Sequence, residues 1–398
     1  MNRDMAPIGL VPRMKGQGYT AGDVETRRAW LEQQVGVSLP GVAGAPIPTE
    51  DMRGNIENLI GIAQMPLGIA GPLLVRGTHA NGAFYVPMAT TEGALVRSYE
   101  RGMVALTRAG GVDARVDRDE NVISPTFLFE GVPAATEFVA TLPDHFDTLK
   151  AEAESTTHHG RLLRIEPRPA GRRVILSFFY STGDAQGMNM AVKATDRACR
   201  WLMAHSTAIR YFVFSGMCSE KRPSGFLLSG GKGKRVSAGA SLPADIVRAY
   251  LHLTPADMVE VWRDTLMGHV HAHATGFNAQ YANGLTAVFI ACGQDVANVA
   301  NSAVGVTEFE VTPDGNLYAS VTLPSLTVGT VGGGTALGTS RECLRLLGCA
   351  GTGGAQKFAE IVAATLLAGE LSMAAAIASG EFVAAHERYG RNRPADAE

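Results

Sequence analysis

Ile361-Val-Ala-Ala-Thr-Leu-Leu-Ala-Gly-Glu-Leu-Ser-Met-Ala-Ala-Ala-Ile-Ala-Ser-Gly380 is the stretch on which the fold turns. A bilayer span needs about 18 or more consecutive apolar residues. This run comes nearest, but Glu370 divides it, and Gly369, Ser372 and Ser379 dilute it. A carboxylate at mid-bilayer is costly, so the segment reads as a buried core helix within a longer helical stretch over 355–386. Immediately upstream, 317–324 reads as a strand, 329–338 as a glycine-rich loop and 340–347 as a helix. Further out, helical spacing covers 24–35, 91–106, 188–204, 246–253 and 255–272. Strand-like runs fall at 161–165, 173–179 and 211–215. The segment 58–74 is interrupted by Gly61, Pro66, Gly68, Gly71 and Pro72, and reads as a fixed loop. This alternation predicts an α+β or mixed α/β enzyme without internal repeats.

The composition narrows the function. With 398 residues, 46% hydrophobic and 18% charged, the chain has enough apolar content for cores in about two to three domains and is not intrinsically disordered. A formal net charge of −3 supplies no basic excess to neutralise a run of phosphates, which argues against nucleic acid as a partner. The five cysteines, Cys199, Cys218, Cys292, Cys343 and Cys349, are odd in number and form no CxxC pair. That fits a reducing, cytoplasmic setting better than a disulfide framework. Residues 1–18 lack the apolar segment of a secretory signal. His269, His271 and His273 alternate, but without further ligands at zinc spacing they predict no metal centre.

Several motifs carry chemistry. Gly329-Thr-Val-Gly-Gly-Gly-Thr335 follows an apolar strand, and its glycines let backbone N–H groups approach a phosphate or an extended cofactor. It departs from GxGxxG, because residue 337 is Leu. Gly230-Gly-Lys-Gly-Lys234 departs from the P-loop pattern as well, since neither lysine precedes Ser or Thr. Gly183-Asp-Ala-Gln-Gly-Met-Asn-Met190 feeds the helix over 188–204. There Asp184 is either that helix's cap or a cofactor contact. Glu92, in Thr90-Thr-Glu-Gly93, is accounted for on its own by the dipole of a starting helix. Glu220-Lys-Arg-Pro223 follows an apolar strand and is either a solvated loop or a charged site. Gly293-Gln-Asp295 places a polar step at the end of the apolar run 287–292, which either caps the core or points into a cleft.

Taken together and in order, these motifs resemble the 3-hydroxy-3-methylglutaryl-CoA reductase family. The matching segments are Glu57-Asn-Leu-Ile-Gly61, Gly68-Ile-Ala-Gly-Pro-Leu73, Pro87-Met-Ala-Thr-Thr-Glu-Gly93, Gly183-Asp-Ala-Gln-Gly-Met-Asn-Met190, Ile290-Ala-Cys-Gly-Gln-Asp295 and Gly329-Thr-Val-Gly-Gly-Gly-Thr335. The match runs from about residue 18 to 393 and looks like the class I catalytic domain without a membrane anchor.

The resemblance implies reduction of an acyl-CoA thioester to a primary alcohol with NADPH, through a hemithioacetal and an aldehyde to mevalonate. Such chemistry needs a cation at the developing oxyanion and acids for oxygen and leaving thiolate. By resemblance Lys221 is that cation, Glu92 supplies a proton, Asp295 couples the two and His386 protonates the departing CoA thiolate. Asp184, Ala185, Gln186, Asn189, Gly332, Gly333, Gly334 and His158 fall at cofactor positions. Ser215, Glu220, Arg222 and Asn283 fall on the substrate side, and Glu57, Asn58, Ser98 and Arg101 toward CoA. The implied fold is α+β. It has an N-terminal helical segment (1–50) and a large domain around a central helix (51–123 and 213–398). A small ferredoxin-like cofactor domain is inserted (124–212). The family assembles as a homodimer or a dimer of dimers, with active sites between subunits.

Three departures change the expectation. The family's arginine facing the substrate's free carboxylate aligns with Ile123, and a second cation, a lysine, aligns with Asp264. An anionic acyl group in that pocket would be poorly compensated unless Arg118 reaches it. The alternative is therefore the same reaction on a less anionic acyl-CoA or carrier-bound thioester. His158 stands where many members have Arg near the cofactor phosphate, which leaves NADH possible beside NADPH. Retention of Glu92, Lys221, Asp295 and His386 together argues against a non-catalytic binding protein.

Overall fold

Residues Ala355–Ala378 form a 24-residue helix in which every position from Phe358 to Ser372 is buried. A helix apolar around its whole circumference must be surrounded, and here the surroundings are protein. The structure, a computed structural model, describes residues 9–13, 21–40, 42, 54–56, 63–229 and 231–380. In chain order the elements are α1 (Ala21–Val35), β1 (Leu67–Gly77), β2 (Asn81–Ala89), α2 (Leu95–Arg108), β3 (Val112–Ile123), β4 (Thr126–Leu128), α3 (Val132–Glu154), β5 (Arg161–Ala170), β6 (Arg173–Ser181), α4 (Met188–Ala204) and β7 (Arg210–Phe212). They continue with α5 (Gly225–Leu228), β8 (Gly233–Leu242), α6 (Ala244–Ile246), α7 (Pro255–His271), α8 (Tyr281–Ala291), α9 (Val299–Ser302), β9 (Val306–Val311), β10 (Leu317–Leu326), α10 (Gly338–Leu346) and α11 (Ala355–Ala378).

The helix α11 packs against α2, α7 and α8 and against strands β1, β3, β8 and β10. These strands belong to one sheet in which β1 pairs β2 antiparallel and β3 parallel, and β3, β8, β10 and β9 follow in antiparallel order. Two carboxylates of α11 are buried and satisfied by backbone. Glu360 accepts from the N–H groups of Thr78, His79 and Ala80, 2.7–3.2 Å away, and so pins the β1–β2 turn. Glu370 accepts from the N–H groups of Ala279 and Gln280 at 2.8–3.1 Å and from Thr307 Oγ1 at 2.7 Å. It thereby joins α11 to the start of α8 and to β9.

Burial pushes the Glu370 carboxyl above its usual range, against the lowering effect of these hydrogen bonds. The folded protein thus holds this proton more tightly than the unfolded chain does. Its contribution to stability is full at acid pH and is lost as pH rises through the raised value. Glu370→Gln is therefore expected to gain melting temperature relative to wild type between about pH 5 and pH 8. Thermal melts of both proteins across that range check it, and a pH-independent difference would contradict it.

A second apolar core gathers Ile123, Phe127, Phe129, Phe138, Leu149, Leu176, Phe178 and Tyr180 beneath α3 and α4. Its chain order is β4-α3-β5-β6-α4-β7, and its strands lie side by side as β7-β4-β6-β5, all antiparallel. That is the β-α-β-β-α-β arrangement of ferredoxin-like units. Strand β3 runs through both parts: residues 113–120 pair with β8, and 121–123 pair with β6.

Some local expectations need correction. The stretch expected as a loop over 58–74 contains the start of β1, a strand from Leu67 that tolerates Gly71 and Pro72 because its pairing with β2 shifts register between Ala70 and Leu73. Residues 246–253, expected to be α-helical, contain a five-residue π-helical turn over Val247–Leu251. Helix α11 is described to Ala378; the rest of the expected helical stretch to 386 lies outside the described residues.

Candidate active site

Three loops and one ion pair make the site. The segment from Ser215 to Ser224 leaves the second core, where Ser215 Oγ donates to the Ser124 carbonyl at 2.7 Å. It then turns twice with positive φ at non-glycine residues, Ser219 at 50° and Lys221 at 56°. Left-handed backbone costs an L-residue about 1–2 kcal/mol, and such residues cluster where a side chain must be aimed. The Lys221 ammonium meets Asp295 Oδ2 at 2.8 Å. That hydrogen bond holds the ammonium above the usual lysine range, against a smaller opposing effect of desolvation. Asp295 itself is fixed, because its Oδ1 accepts from the Ala297 N–H at 3.1 Å in the turn after α8.

The Gly293-Gln-Asp295 step is locked to the second glycine-rich loop. Gly329 N–H donates to Gln294 Oε1 at 2.9 Å. A Cβ on Gly293 would lie 2.4 Å from the Gly334 carbonyl oxygen, and one on Gly334 would lie 2.7 Å from that of Gly293. Backbone thus meets backbone, which only glycine permits. By contrast, Gly332 and Gly333 are exposed with positive φ and open space where a side chain would stand. Their peptide groups precede and begin a short 3₁₀ turn, Gly333–Ala336.

The first glycine-rich loop lies alongside. Ala185 pairs with Val331, and Thr330 N–H donates to the Asp184 carbonyl at 2.8 Å. The Asp184 side chain does not cap α4, whose N-cap is Gly187 without a side-chain bond. Instead its carboxylate accepts from Gly353 N–H at 2.8 Å and Ala355 N–H at 3.0 Å, at the N-terminus of α11. A carboxylate there complements the dipole of the longest helix and ties the second core to the first. Gln186 offers its carbonyl to Asn121 Nδ2 at 2.7 Å, and Asn189 is exposed on the first turn of α4.

The other expected site residues are distributed as follows. Glu92 is exposed in the turn between β2 and α2, just before Ala94 at φ 69°. Among the described residues its carboxylate joins no ion pair, and Lys221 pairs with Asp295 instead. Glu220 is mostly buried and Arg222 exposed; Asn283 is half-buried on α8. Ile123 is fully buried in the second apolar core, and Asp264 is exposed on α7. Arg118 lies beside a register shift of β3, with one guanidinium nitrogen buried and unpartnered. Ser98 and Arg101 face α11, where both bond Ser372. His158 is exposed between α3 and β5. His386, Glu57 and Asn58 lie outside the described residues. Sequence reasoning missed Lys232 and Asn121, which meet beneath this site. The signal for Lys232 was a lysine enclosed by glycines in a segment that fits no phosphate-binding pattern; Asn121 carried none.

The family model for hydroxymethylglutaryl-coenzyme A reductase matches residues 23–391. The 3-hydroxy-3-methylglutaryl-coenzyme A reductase of Methanocaldococcus jannaschii is 43% identical over 375 residues, covering 92% of each chain. That of Methanothermobacter thermautotrophicus is 44% identical over 372 residues, covering 92% of this chain and 93% of the relative. Among solved structures, a class II reductase of the same name from Streptococcus pneumoniae, bound to NADPH in open conformations, superposes with a TM-score of 0.72. At 17% identity, covering 89% of this chain and 96% of the other, that likeness speaks to the fold. Motif order, fold and sequence identity agree: the chain belongs to the hydroxymethylglutaryl-coenzyme A reductase family.

Proposed function

We propose that the chain reduces 3-hydroxy-3-methylglutaryl-CoA to mevalonate and CoA with NADPH. The observation that carries this reading is the Lys221–Asp295 pair at 2.8 Å, held on a strained turn beside two interlocked glycine-rich loops. In this reading Lys221 stabilises charge on the thioester oxygen, where a preorganised cation acts most strongly. Asp295 keeps the ammonium protonated and aimed. Glu92 delivers a proton to the reduced oxygen, and His386 protonates the departing thiolate. Ser215, Glu220, Arg222 and Asn283 orient the acyl group; Glu57, Asn58, Ser98 and Arg101 serve the CoA end.

The exposed peptide groups of Gly332 and Gly333, with open space above them, suit an extended anionic dinucleotide. In this reading Gly334, Asp184, Ala185, Gln186, Asn189 and His158 belong to the same cradle, 124–212 is the cofactor domain, and 51–123 with 213–398 is the thioester domain. NADPH, when bound, supplies the two hydrides. As the family resemblance implies, we place the complete site between two copies of a homodimer. A cytoplasmic enzyme fits the burial of α11, the one helix among the described residues long and apolar enough to cross a membrane.

A second reading keeps the chemistry and changes the acyl group. It is favoured by the positions of Ile123, inside an apolar core, and Asp264, exposed and acidic. Neither brings a cation to a free carboxylate. The deciding experiment follows NADPH oxidation and thiol release by the purified protein with 3-hydroxy-3-methylglutaryl-CoA. Two NADPH consumed per thiol is the expected result. A folded protein that binds NADPH yet leaves this thioester intact, while reducing an uncharged acyl-CoA, would establish the second reading.

A further inference from the structure

We infer that Lys232 is a positioning residue for this reaction, tying the turn that carries Lys221 to the loop that carries Gln186. The inference rests on the function proposed above. Lys232 immediately precedes β8, and its side chain is 0% exposed. Its ammonium touches three different parts of the molecule. It pairs with the carboxylate of Glu220, it donates to Asn121 Oδ1 at 2.8 Å, and it lies 3.5 Å from Met188 Sδ at the start of α4. Asn121 passes the connection on, since its Nδ2 donates to the Gln186 carbonyl at 2.7 Å.

A buried ammonium persists only when it is hydrogen-bonded and paired with charge: Asn121 Oδ1 and Met188 Sδ accept from Lys232, and the Glu220 carboxylate supplies the counter-charge. Glu220 is 15% exposed, and Lys232 is its one ion-pair partner among the described residues. The residues on either side of Glu220, Ser219 and Lys221, are the two non-glycine residues of this turn with positive φ. Strained backbone persists where neighbouring contacts over-determine it. The anchor between the two strained residues is the Glu220–Lys232 pair. Cutting it releases the turn, and the Lys221 ammonium loses its fixed approach to Asp295. Removing the Lys232 ammonium also leaves Asn121 Oδ1 with the Val122 N–H alone, at 2.9 Å, and loosens the hold on the Gln186 loop. Substrate-side and cofactor-side geometry thus share one buried cation.

The test compares Lys232→Met, Lys232→Arg, Glu220→Gln and the Lys232→Met/Glu220→Gln double variant. Two readouts are taken on each folded protein: steady-state kinetics with 3-hydroxy-3-methylglutaryl-CoA and NADPH, and amide hydrogen exchange by mass spectrometry. Lys232→Met is expected to lower kcat by about 10²-fold, the scale of a small misplacement at a reacting centre, and to raise the KM for NADPH. Exchange should rise together in 216–224 and 183–188. Lys232→Arg, which keeps the charge, should stay within about tenfold of wild type in kcat. In the Glu220→Gln background, Lys232→Met should add less than about threefold, because the link is already cut. Near wild-type kcat in folded Lys232→Met, faster exchange in one segment alone, or fully multiplicative losses would each overturn the inference. If Lys232→Met does not fold, the double variant replaces it in the exchange measurement, and protection of both segments at wild-type level is the overturning result. If the wild type turns over no thioester, the proposed function fails, and the exchange data alone judge the role of Lys232.

Discussion

Lys221→Ala is expected to lower kcat by about 10³-fold or more, since removal of one preorganised oxyanion donor already costs about 10²–10³. The fold should survive. The Lys221 and Asp295 side chains are 46% and 38% exposed, and an ion pair this exposed contributes about 0–1 kcal/mol to stability. Melting temperature should therefore hardly move while turnover disappears, a separation that steady-state kinetics and a thermal melt on the same sample reveal. Asp295→Asn tests the other half of the pair. The bond to Asp295 is the main influence holding the Lys221 ammonium above its ordinary range. A raised lysine stays charged at neutral pH and loses its proton only as pH climbs through the raised value. Without Asp295 that loss begins earlier, so the alkaline limb of kcat should move to lower pH. A Lys221→Ala enzyme within tenfold of wild type, or an unmoved alkaline limb in Asp295→Asn, would remove these residues from the chemistry.

Gly102→Ala is the substitution expected to damage the fold most for its size. Gly102 lies on α2 where that helix crosses α11, and a Cβ there would stand 1.9 Å from the Ala368 carbonyl oxygen and 2.8 Å from its Cα. The obstacle is backbone of a helix buried on all sides, so it has no rotamer by which to yield. Overpacking a core costs about 1–3 kcal/mol and more where backbone must move; we expect at least about 3 kcal/mol here. The consequence reaches the site as well. Helix α2 begins just after the turn that holds Glu92, and Ser98 and Arg101 on it bond Ser372 of α11. Pushing the two helices apart should break those bonds and displace Glu92. Denaturant unfolding of Gly102→Ala measures the stability loss; a change under about 1 kcal/mol would show that the helices separate freely.

The difference between legible and illegible features follows from the range of the forces involved. Helix α4 was readable to its boundaries, Met188 and Ala204, because its apolar spacing and the preceding Gly187 are local signals. The core helix α11 was readable because Glu370, Gly369 and the serines exclude a bilayer, whatever packs around them. Strand β1 was not, since Gly71 and Pro72 argue locally for a loop and only pairing with β2 outweighs them. Strand β8, from Gly233 to Leu242, is made largely of small residues whose strand character comes from β3 and β10 on either side. For Asp184 the local pattern leaves open a cap of the nearer helix and a cofactor contact; neither reading foresees that its carboxylate reaches the N-terminus of α11, some 170 residues away in the chain.

What the sequence alone determined is the chemistry on offer: an ordered set of motifs, the lysine, the carboxylates and the glycines that leave backbone open to an anion. Those are properties of residue type and order. Tertiary structure decided which of them meet in space. It put Lys221 on Asp295 across 74 positions of chain and buried Lys232 against Glu220 and Asn121. It also enclosed Ile123 in an apolar core. The physical reason is that ion pairing and burial depend on distance in space, and no local pattern of residues encodes which distant segments the packed helices and shared strand bring into reach.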